Sequence, residues 1–425
     1  MRAILIVLAS LASIAAAHAA ALEGHWAGTW TKAGDALNVT VEFSKANSRY
    51  AGSFDSDGLQ VAGIPFAGVA MTGNAVRFTL KGDRTTTTFD GSLSNDTIAG
   101  TFKDGDVPGT FKLMRATTPP QVETREVTFA NGDVTLAGEL VLPATPGRYP
   151  ALMFLHGSGA EGRWANRYLA RKFATRGFVA LIYDKRGVGA SKGDWQSSGF
   201  EELAEDAVAG IRFLASHKAV LPERIGIYGH SQGGTISPLV AVRARGAAFL
   251  IASAASGLDP AETETYSIEN SIGVATLPVT ERADARLFVA AIVDVAYRGA
   301  LYSTLEDVVE RFRGRSWFFE PPPRGHSYWS ISRRIRLYRP LEFWEQVRAP
   351  VFLVFGAHDE RVPPQRSADA ILAALNSTGN KRVTLRIYPN AEHAFRIVPQ
   401  DPPGGWSKRV PDYADTLATW AQSKH

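Results

Sequence analysis

The run Arg224-Ile225-Gly226-Ile227-Tyr228-Gly229 reads as a buried strand, and Thr235 to Ala244 can continue as a helix. Between them stands Gly229-His230-Ser231-Gln232-Gly233, a G-x-S-x-G run with Gly234 behind it. A strand that turns directly into a helix needs a strained residue at the apex and small neighbours beside it. The three glycines supply that room. The Ser231 hydroxyl is then expected to point away from the sheet, over the helix N-terminus. The plainer reading is a tight glycine turn carrying an idle serine, and the strand and helix on either side weigh against it.

The surroundings carry a β/α rhythm. Glu126–Phe129 and Val134–Leu142 are expected strands joined by an Asn131-Gly132-Asp133 turn, a strong hairpin signal. Tyr149–Leu155 is an apolar run ending in His156-Gly157-Ser158-Gly159. Arg167–Arg176 is helical in pattern and Phe178–Asp184 reads as a buried strand. Phe200–His217 is amphipathic, with Leu203, Ala207, Ile211 and Leu214 at three- and four-residue steps. Later come Pro350–Gly356 as a strand, Ser367–Leu375 as a helix, Val383–Tyr388 as a strand and Tyr413–Trp420 as a helix. Such alternation implies a mostly parallel sheet with helices on both faces, an α/β catalytic domain over residues 122–425.

The rhythm breaks between residues 258 and 345. Ala283–Ala296 and Leu305–Phe312 are helical in pattern, and the rest is aromatic and arginine-rich. An insertion here is expected to form a helical lid over the strands' carboxyl ends. Trp317 and Trp329 are expected to line an apolar acyl pocket, and Arg333, Arg334 and Arg336 to meet a substrate carboxylate. The plainer reading packs the aromatics in the lid's own core and leaves the arginines solvated.

Residues 22–115 read as a small antiparallel all-β domain. Leu37 to Phe43 and Ala75 to Leu80 alternate apolar and polar with period two, and turn residues separate the short strands. Trp26 and Trp30 flank Gly28 and are expected to plug this β-core rather than form a carbohydrate or lipid site. Thr117–Gln121 is a linker by composition. Ahead of all this, Met1-Arg2, an apolar run from Ala3 to Ala17 and Ala17-His18-Ala19 read as a signal peptide over residues 1–19. Export to the periplasm or medium is the expectation.

A serine hydroxyl needs a base, and the base an orienting acid, in the chain order Ser…Asp…His. Asp359 follows the strand Val351–Phe355 and His393 follows Val383–Tyr388. Both fall on loops at strand carboxyl ends, where such sheets build their sites. Glu360 and Glu392 are the rival acids. The oxyanion needs two backbone N–H donors. Gln232, directly after the serine, is one candidate; Ser158 is the other, with Gly157 as its alternative. His156 is expected to hold that loop. Asp184 and Arg186, in Tyr183-Asp184-Lys185-Arg186-Gly187-Val188-Gly189, are expected to brace the rim of the site.

Composition removes several alternatives. The 425 residues contain no cysteine, so disulfides and thiolate chemistry are excluded. Net charge is only +4 with no dense basic block, which argues against a nucleic-acid partner. No later segment is apolar enough for stable membrane insertion. The nine histidines show no H-x-x-x-H, and neither metal nor cofactor is expected.

The ordered set His156-Gly157-Ser158-Gly159, Asp184 to Ser191, Gly229 to Gly234, Gly356-Ala357-His358-Asp359 and Glu392-His393 resembles the α/β-hydrolase superfamily over residues 122–425. Within it the chain looks most like the dienelactone-hydrolase and prolyl-oligopeptidase-related serine esterases, with Ser231 where the former carry cysteine. The resemblance implies an eight-stranded, mostly parallel sheet, a Ser231–Asp359–His393 triad and hydrolysis of a small-molecule ester. A peptidase, a thioesterase or an acyltransferase would use the same triad. A non-catalytic binding protein is the reading from another class. Oligomeric state is not legible.

Overall fold

Leu37, Val39, Val41 and Phe43 alternate with Ala36, Asn38, Thr40 and Glu42, so one face of this strand must be buried. The computed structural model, which describes residues 21–82, 86–117 and 122–424, places those four inward. The leader over residues 1–19 and linker residues 118–121 lie outside the described residues. Nine strands make up the N-terminal sheet: β1 (Gly24–Lys32), β2 (Asp35–Ala46), β3 (Arg49–Ser56), β4 (Val61–Pro65), β5 (Gly68–Thr72), β6 (Ala75–Lys81), β7 (Thr86–Ser94), β8 (Thr97–Asp104) and β9 (Val107–Arg115). Their order is β2-β1-β9-β8-β7-β6-β5-β3-β4, and a further β2–β3 pairing closes the sheet into an antiparallel barrel. The seam is thinnest between β3 and β5, joined by the single pair Tyr50 and Val69. Closure satisfies strand edges that an open sheet would leave exposed. Trp26 and Trp30 lie fully buried inside, with Phe54, Phe78, Phe89 and Phe111. They fill the barrel core, as expected.

The second sheet contains β10 (Val122–Asn131), β11 (Val134–Pro143), β12 (Tyr149–Leu155), β13 (Val179–Tyr183), β14 (Val220–His230), β15 (Leu250–Ser253), β16 (Val351–Gly356) and β17 (Val383–Tyr388). Their order is β10-β11-β13-β12-β14-β15-β16-β17. β10 and β11 form an antiparallel hairpin, β11 meets β13 antiparallel, and every later junction is parallel. This is the eight-stranded, mostly parallel sheet of the α/β-hydrolase fold. Two hydrophobic clusters cover its faces. One takes helices α2 (Phe200–Ser216), α3 (Gln232–Arg243) and α9 (Pro364–Ser377); the other takes α1 (Arg167–Thr175) and α10 (Tyr413–Gln422).

The segment between β15 and β16 holds α4 (Pro260–Ser271), α5 (Val279–Val293), α6 (Tyr302–Phe312), α7 (Ser327–Ile335) and α8 (Pro340–Trp344). It carries a hydrophobic cluster of its own around Phe288, Ile292 and Phe312. Among the described residues no helix is long and apolar enough to cross a membrane.

The loop after β17 reaches back to the barrel. Trp406 packs on Trp30 with ring centres 6.1 Å apart, and its indole N–H donates to the Trp30 carbonyl at 3.2 Å. Asp35 accepts from the Trp406 N–H at 2.9 Å and pairs with the Lys408 ammonium at 2.5 Å. Those bonds, with burial opposing, hold the Asp35 carboxyl below its ordinary value. α1 docks on the same barrel through Arg171–Asp55 and Tyr168–Asp57. Trp406→Ala is expected to destabilise the protein by about 2 kcal/mol, roughly half the loss for a fully buried aromatic because Trp406 is half-buried. Urea unfolding followed by far-UV circular dichroism measures it, and an unchanged midpoint would show that this contact adds nothing.

Candidate active site

Ser231 is the residue between β14 and α3, held at φ 55° and ψ −118°. A non-glycine residue with positive φ is strained by about 1–3 kcal/mol and persists only where its surroundings dictate it. The surroundings do so through close approach. A Cβ on Gly229 would stand 2.2 Å from the Gly233 carbonyl oxygen, and one on Gly233 would stand 2.7 Å from that of His156. The Ser231 N–H donates to the Ser253 carbonyl at 2.9 Å, and its own carbonyl accepts from the Thr235 N–H at 2.9 Å.

His393 lies on the loop after β17 with Nε2 2.9 Å from Ser231 Oγ. Its Nδ1 is 2.9 and 2.8 Å from the two carboxylate oxygens of Asp359, on the loop after β16. The Asp359 side chain is wholly buried, and its Oδ1 also accepts from the N–H groups of Arg361 and Val362, each at 2.8 Å. A carboxylate so held requires a proton on Nδ1, which leaves Nε2 free to accept the serine proton. The structure therefore brings Ser231, His393 and Asp359 together. The rivals point elsewhere. Glu392 accepts from the Ala394 and Arg396 N–H groups at 2.9 Å and pairs with the Arg396 guanidinium at 3.0 Å. Burial pushes its carboxyl up, but the Arg396 bonds prevail and hold it below its ordinary value. Glu360 is 3.9 Å from the Arg361 guanidinium and has no contact with His393 among the described residues.

Gln232 opens α3, where the first N–H groups of a helix lack an intrahelical acceptor. Gly157, the alternative to Ser158, donates its N–H to Glu161 Oε2 at 2.7 Å. That removes Gly157 as a second oxyanion donor. The Ser158 N–H has no acceptor among the described residues. Glu161 was not singled out from sequence. Burial raises its carboxyl, outweighing the opposing pull of Lys185 and the Gly157 N–H.

His156 holds its loop as expected: Nε2 donates to the Tyr183 carbonyl at 2.6 Å. Burial, reinforced by Lys185, lowers its pKa to about 3, so it stays neutral. Asp184 takes a two-pronged contact from Arg163, with Nη2 at 2.9 Å from Oδ2 and Nε at 3.2 Å from Oδ1. Arg186 grips Asp206 of α2 the same way, at 2.6 and 2.7 Å. These two pairs fix the loop after β13.

The insertion touches the acid's loop: the Tyr266 hydroxyl of α4 donates to the Asp359 carbonyl at 2.7 Å. Trp317 and Trp329 fall in the insertion's own hydrophobic cluster, 5% and 2% exposed. Trp317 packs on Phe288 and Phe312, and the Trp329 indole donates to the Pro322 and Pro323 carbonyls. A helical segment with one apolar face must bury it, and these two side chains do so against their neighbours. This packing in the insertion's own core is the plainer of the two readings made from sequence. Arg333, Arg334 and Arg336 are exposed, with no carboxylate partner among the described residues.

The family model described as serine aminopeptidase, S33, matches residues 149–397. An uncharacterized peptidase of Bacillus subtilis, YtmA, is 25% identical over 254 residues, 60% of this chain and 80% of that protein. Esterase EstD of Thermotoga maritima is 27% identical over 166 residues, 37% of this chain and 39% of its own length. A Pyrococcus furiosus esterase structure superposes with a TM-score of 0.46 at 17% identity, covering 72% of this chain and 92% of that one. The family model spans more than half of the sequence, from β12 through the β17–α10 loop, and includes the elbow and the loops bearing Asp359 and His393. The chain belongs to the serine aminopeptidase S33 family of α/β hydrolases and is a serine hydrolase.

Proposed function

We propose that this hydrolase cleaves carboxylic esters of small molecules through an acyl-enzyme on Ser231. The observation that carries the reading is the 2.9 Å contact between Ser231 Oγ and His393 Nε2, with Asp359 behind the imidazole. As Oγ attacks the ester carbonyl, His393 takes its proton, and the N–H groups of Ser158 and Gln232 receive the oxyanion. The alcohol leaves with the proton returned by His393. Water then repeats the sequence on the acyl-enzyme and frees the acid and Ser231. The insertion over residues 258–345 serves as a lid, a role supported by the Tyr266–Asp359 contact. The basic and apolar leader over residues 1–19 supports export to the periplasm or medium. Kinship to the dienelactone-hydrolase and prolyl-oligopeptidase-like branch is part of the same proposal and rests on motif order.

The test is a panel of p-nitrophenyl acetate, butyrate and octanoate, an acyl thioester and aminoacyl-anilides. The esters are expected to exceed the anilides in kcat/KM by at least 100-fold. The reverse order would overturn the ester reading.

One observation favours an aminopeptidase. Glu264 on α4 is half-buried, with the Tyr328 hydroxyl donating to its carboxylate at 2.8 Å. Burial raises its pKa. Two residues along the helix, Tyr266 bonds the acid's loop. Among the described residues Glu264 forms no ion pair, and only the Arg361 charge acts on it from further off, so a substrate ammonium would supply a direct positive partner. On that reading Glu264→Gln raises KM for aminoacyl-anilides tenfold or more. On the ester reading neither protein turns anilides over appreciably.

A further inference from the structure

Lys185 directly follows the Asp184 that Arg163 grips, and the residue is 2% exposed. A buried ammonium is expected to sit against a carboxylate. Lys185 makes no ion pair among the described residues. Its Nζ donates instead to the carbonyls of Gly157, at 2.5 Å, and Gly159, at 2.7 Å. It also stands 3.4 Å from the Gln232 side-chain oxygen and 5.7 Å from the centre of the Trp195 ring. The titratable groups that act on it or feel it are Glu161 and His156.

The Gly157 carbonyl belongs to the peptide unit whose N–H is that of Ser158. A trans peptide is planar, and its C=O and N–H point in opposite directions. Holding the oxygen on the Lys185 ammonium therefore turns the Ser158 N–H away from Lys185. The preceding peptide is held as well, because the Gly157 N–H is bound to Glu161 at 2.7 Å. A charged donor on the carbonyl also polarises the amide and strengthens the hydrogen bond that its N–H makes. The contact to Gln232 reaches the residue that bears the other proposed donor.

We propose that Lys185 is the positioning residue of the oxyanion site: through the Gly157 carbonyl it aims and polarises the Ser158 N–H toward the acyl oxygen. The proposal rests on the acyl-enzyme reading above. A residue that only props the loop would cost stability. One that sets the oxyanion donor costs kcat, because that bond tightens as charge develops.

The experiment compares wild type, Lys185→Met and Ser231→Ala on p-nitrophenyl acetate, with thermal unfolding of each. The expected result for Lys185→Met is a kcat about 100-fold lower, the scale of one lost oxyanion donor, with KM within about threefold. Inhibition by phenylboronic acid, whose boron binds Ser231 Oγ to give a tetrahedral anion, should weaken by a similar factor. Burial lowers the Lys185 pKa to about 8. Its ammonium is present below that pH and lost above it, so wild-type kcat should fall as pH rises through about 8, and Lys185→Met should lack that step. If Lys185→Met does not fold, Lys185→Gln, shorter and uncharged, is read by the same kcat and KM criteria in its place. A folded Lys185→Met with kcat within threefold of wild type, or with its loss in KM alone, overturns the role of Lys185 while an inactive Ser231→Ala leaves the acyl-enzyme reading standing. An active Ser231→Ala overturns that reading itself.

Discussion

Ser231→Ala is expected to lower kcat for p-nitrophenyl acetate by about 10⁴–10⁶-fold, the range found when a triad nucleophile is removed. The substitution deletes Oγ, the atom placed 2.9 Å from His393 Nε2. The fold should survive. The backbone bonds of residue 231, from its N–H to Ser253 and from Thr235 to its carbonyl, do not involve the side chain. Alanine and serine also meet the positive φ with the same Cβ, so the strain at the elbow is unchanged. Steady-state kinetics beside a thermal melt separates the two effects. A folded variant keeping more than about a tenth of wild-type kcat/KM would remove Ser231 from the chemistry and return the non-catalytic binding reading to first place.

The elements legible in the sequence are those whose reason is local. β2 buries Leu37, Val39, Val41 and Phe43, the set its alternation names. β14 and α3 follow from an apolar run, three glycines and a helical continuation. β15 is different. Leu250–Ser253 has four buried residues, too few for a period to show, and it is a strand because β14 and β16 flank it on both sides. The pairing of the barrel's first and last strands is likewise non-local, since β1 meets β9 across about 80 residues of chain, a partnership no short window contains. The docking of Trp406 on Trp30 spans 376 positions in the sequence and joins two folded units that each read separately.

The candidate site divides along the same line. Asp359 and His393 could be named because a parallel sheet places loop residues at strand carboxyl ends, and the chain order left few choices. Glu161 and Lys185 could not. Their partners are the Gly157 N–H and the Gly157 and Gly159 carbonyls, backbone groups that every residue carries and that no side-chain pattern announces. Trp317 and Trp329 show the opposite ambiguity. Aromatic residues in an insertion suggest a ligand pocket, yet α5, α6 and α7 have apolar faces to bury and use these side chains to do so.

Asp359→Asn carries the second large effect, an expected loss of about 10⁴-fold in kcat with the fold retained. The reason lies in which atoms face which. Asp359 Oδ1 accepts from the N–H groups of Arg361 and Val362, so an asparagine must set its carbonyl oxygen there to keep them satisfied. Its amide nitrogen then takes the place of Oδ2, 2.8 Å from His393 Nδ1. The carbonyl oxygen at the Oδ1 position stays 2.9 Å from Nδ1, but an amide N–H now faces Nδ1 where a carboxylate oxygen stood, which favours the tautomer with Nδ1 bare and the proton on Nε2. Nε2 then donates to Ser231 Oγ where it must accept, and the base is lost while the geometry stays. The loss should not compound: Asp359→Asn combined with Ser231→Ala is expected to be no slower than Ser231→Ala alone, because the imidazole has no serine left to activate. The measurement is kcat for the two single variants and the double, with Glu392→Gln as the control for the neighbouring carboxylate. An active Asp359→Asn beside an inactive Glu392→Gln would move the acid to Glu392, and a double variant slower than Ser231→Ala by a further 10²-fold would give Asp359 a role that does not pass through the serine.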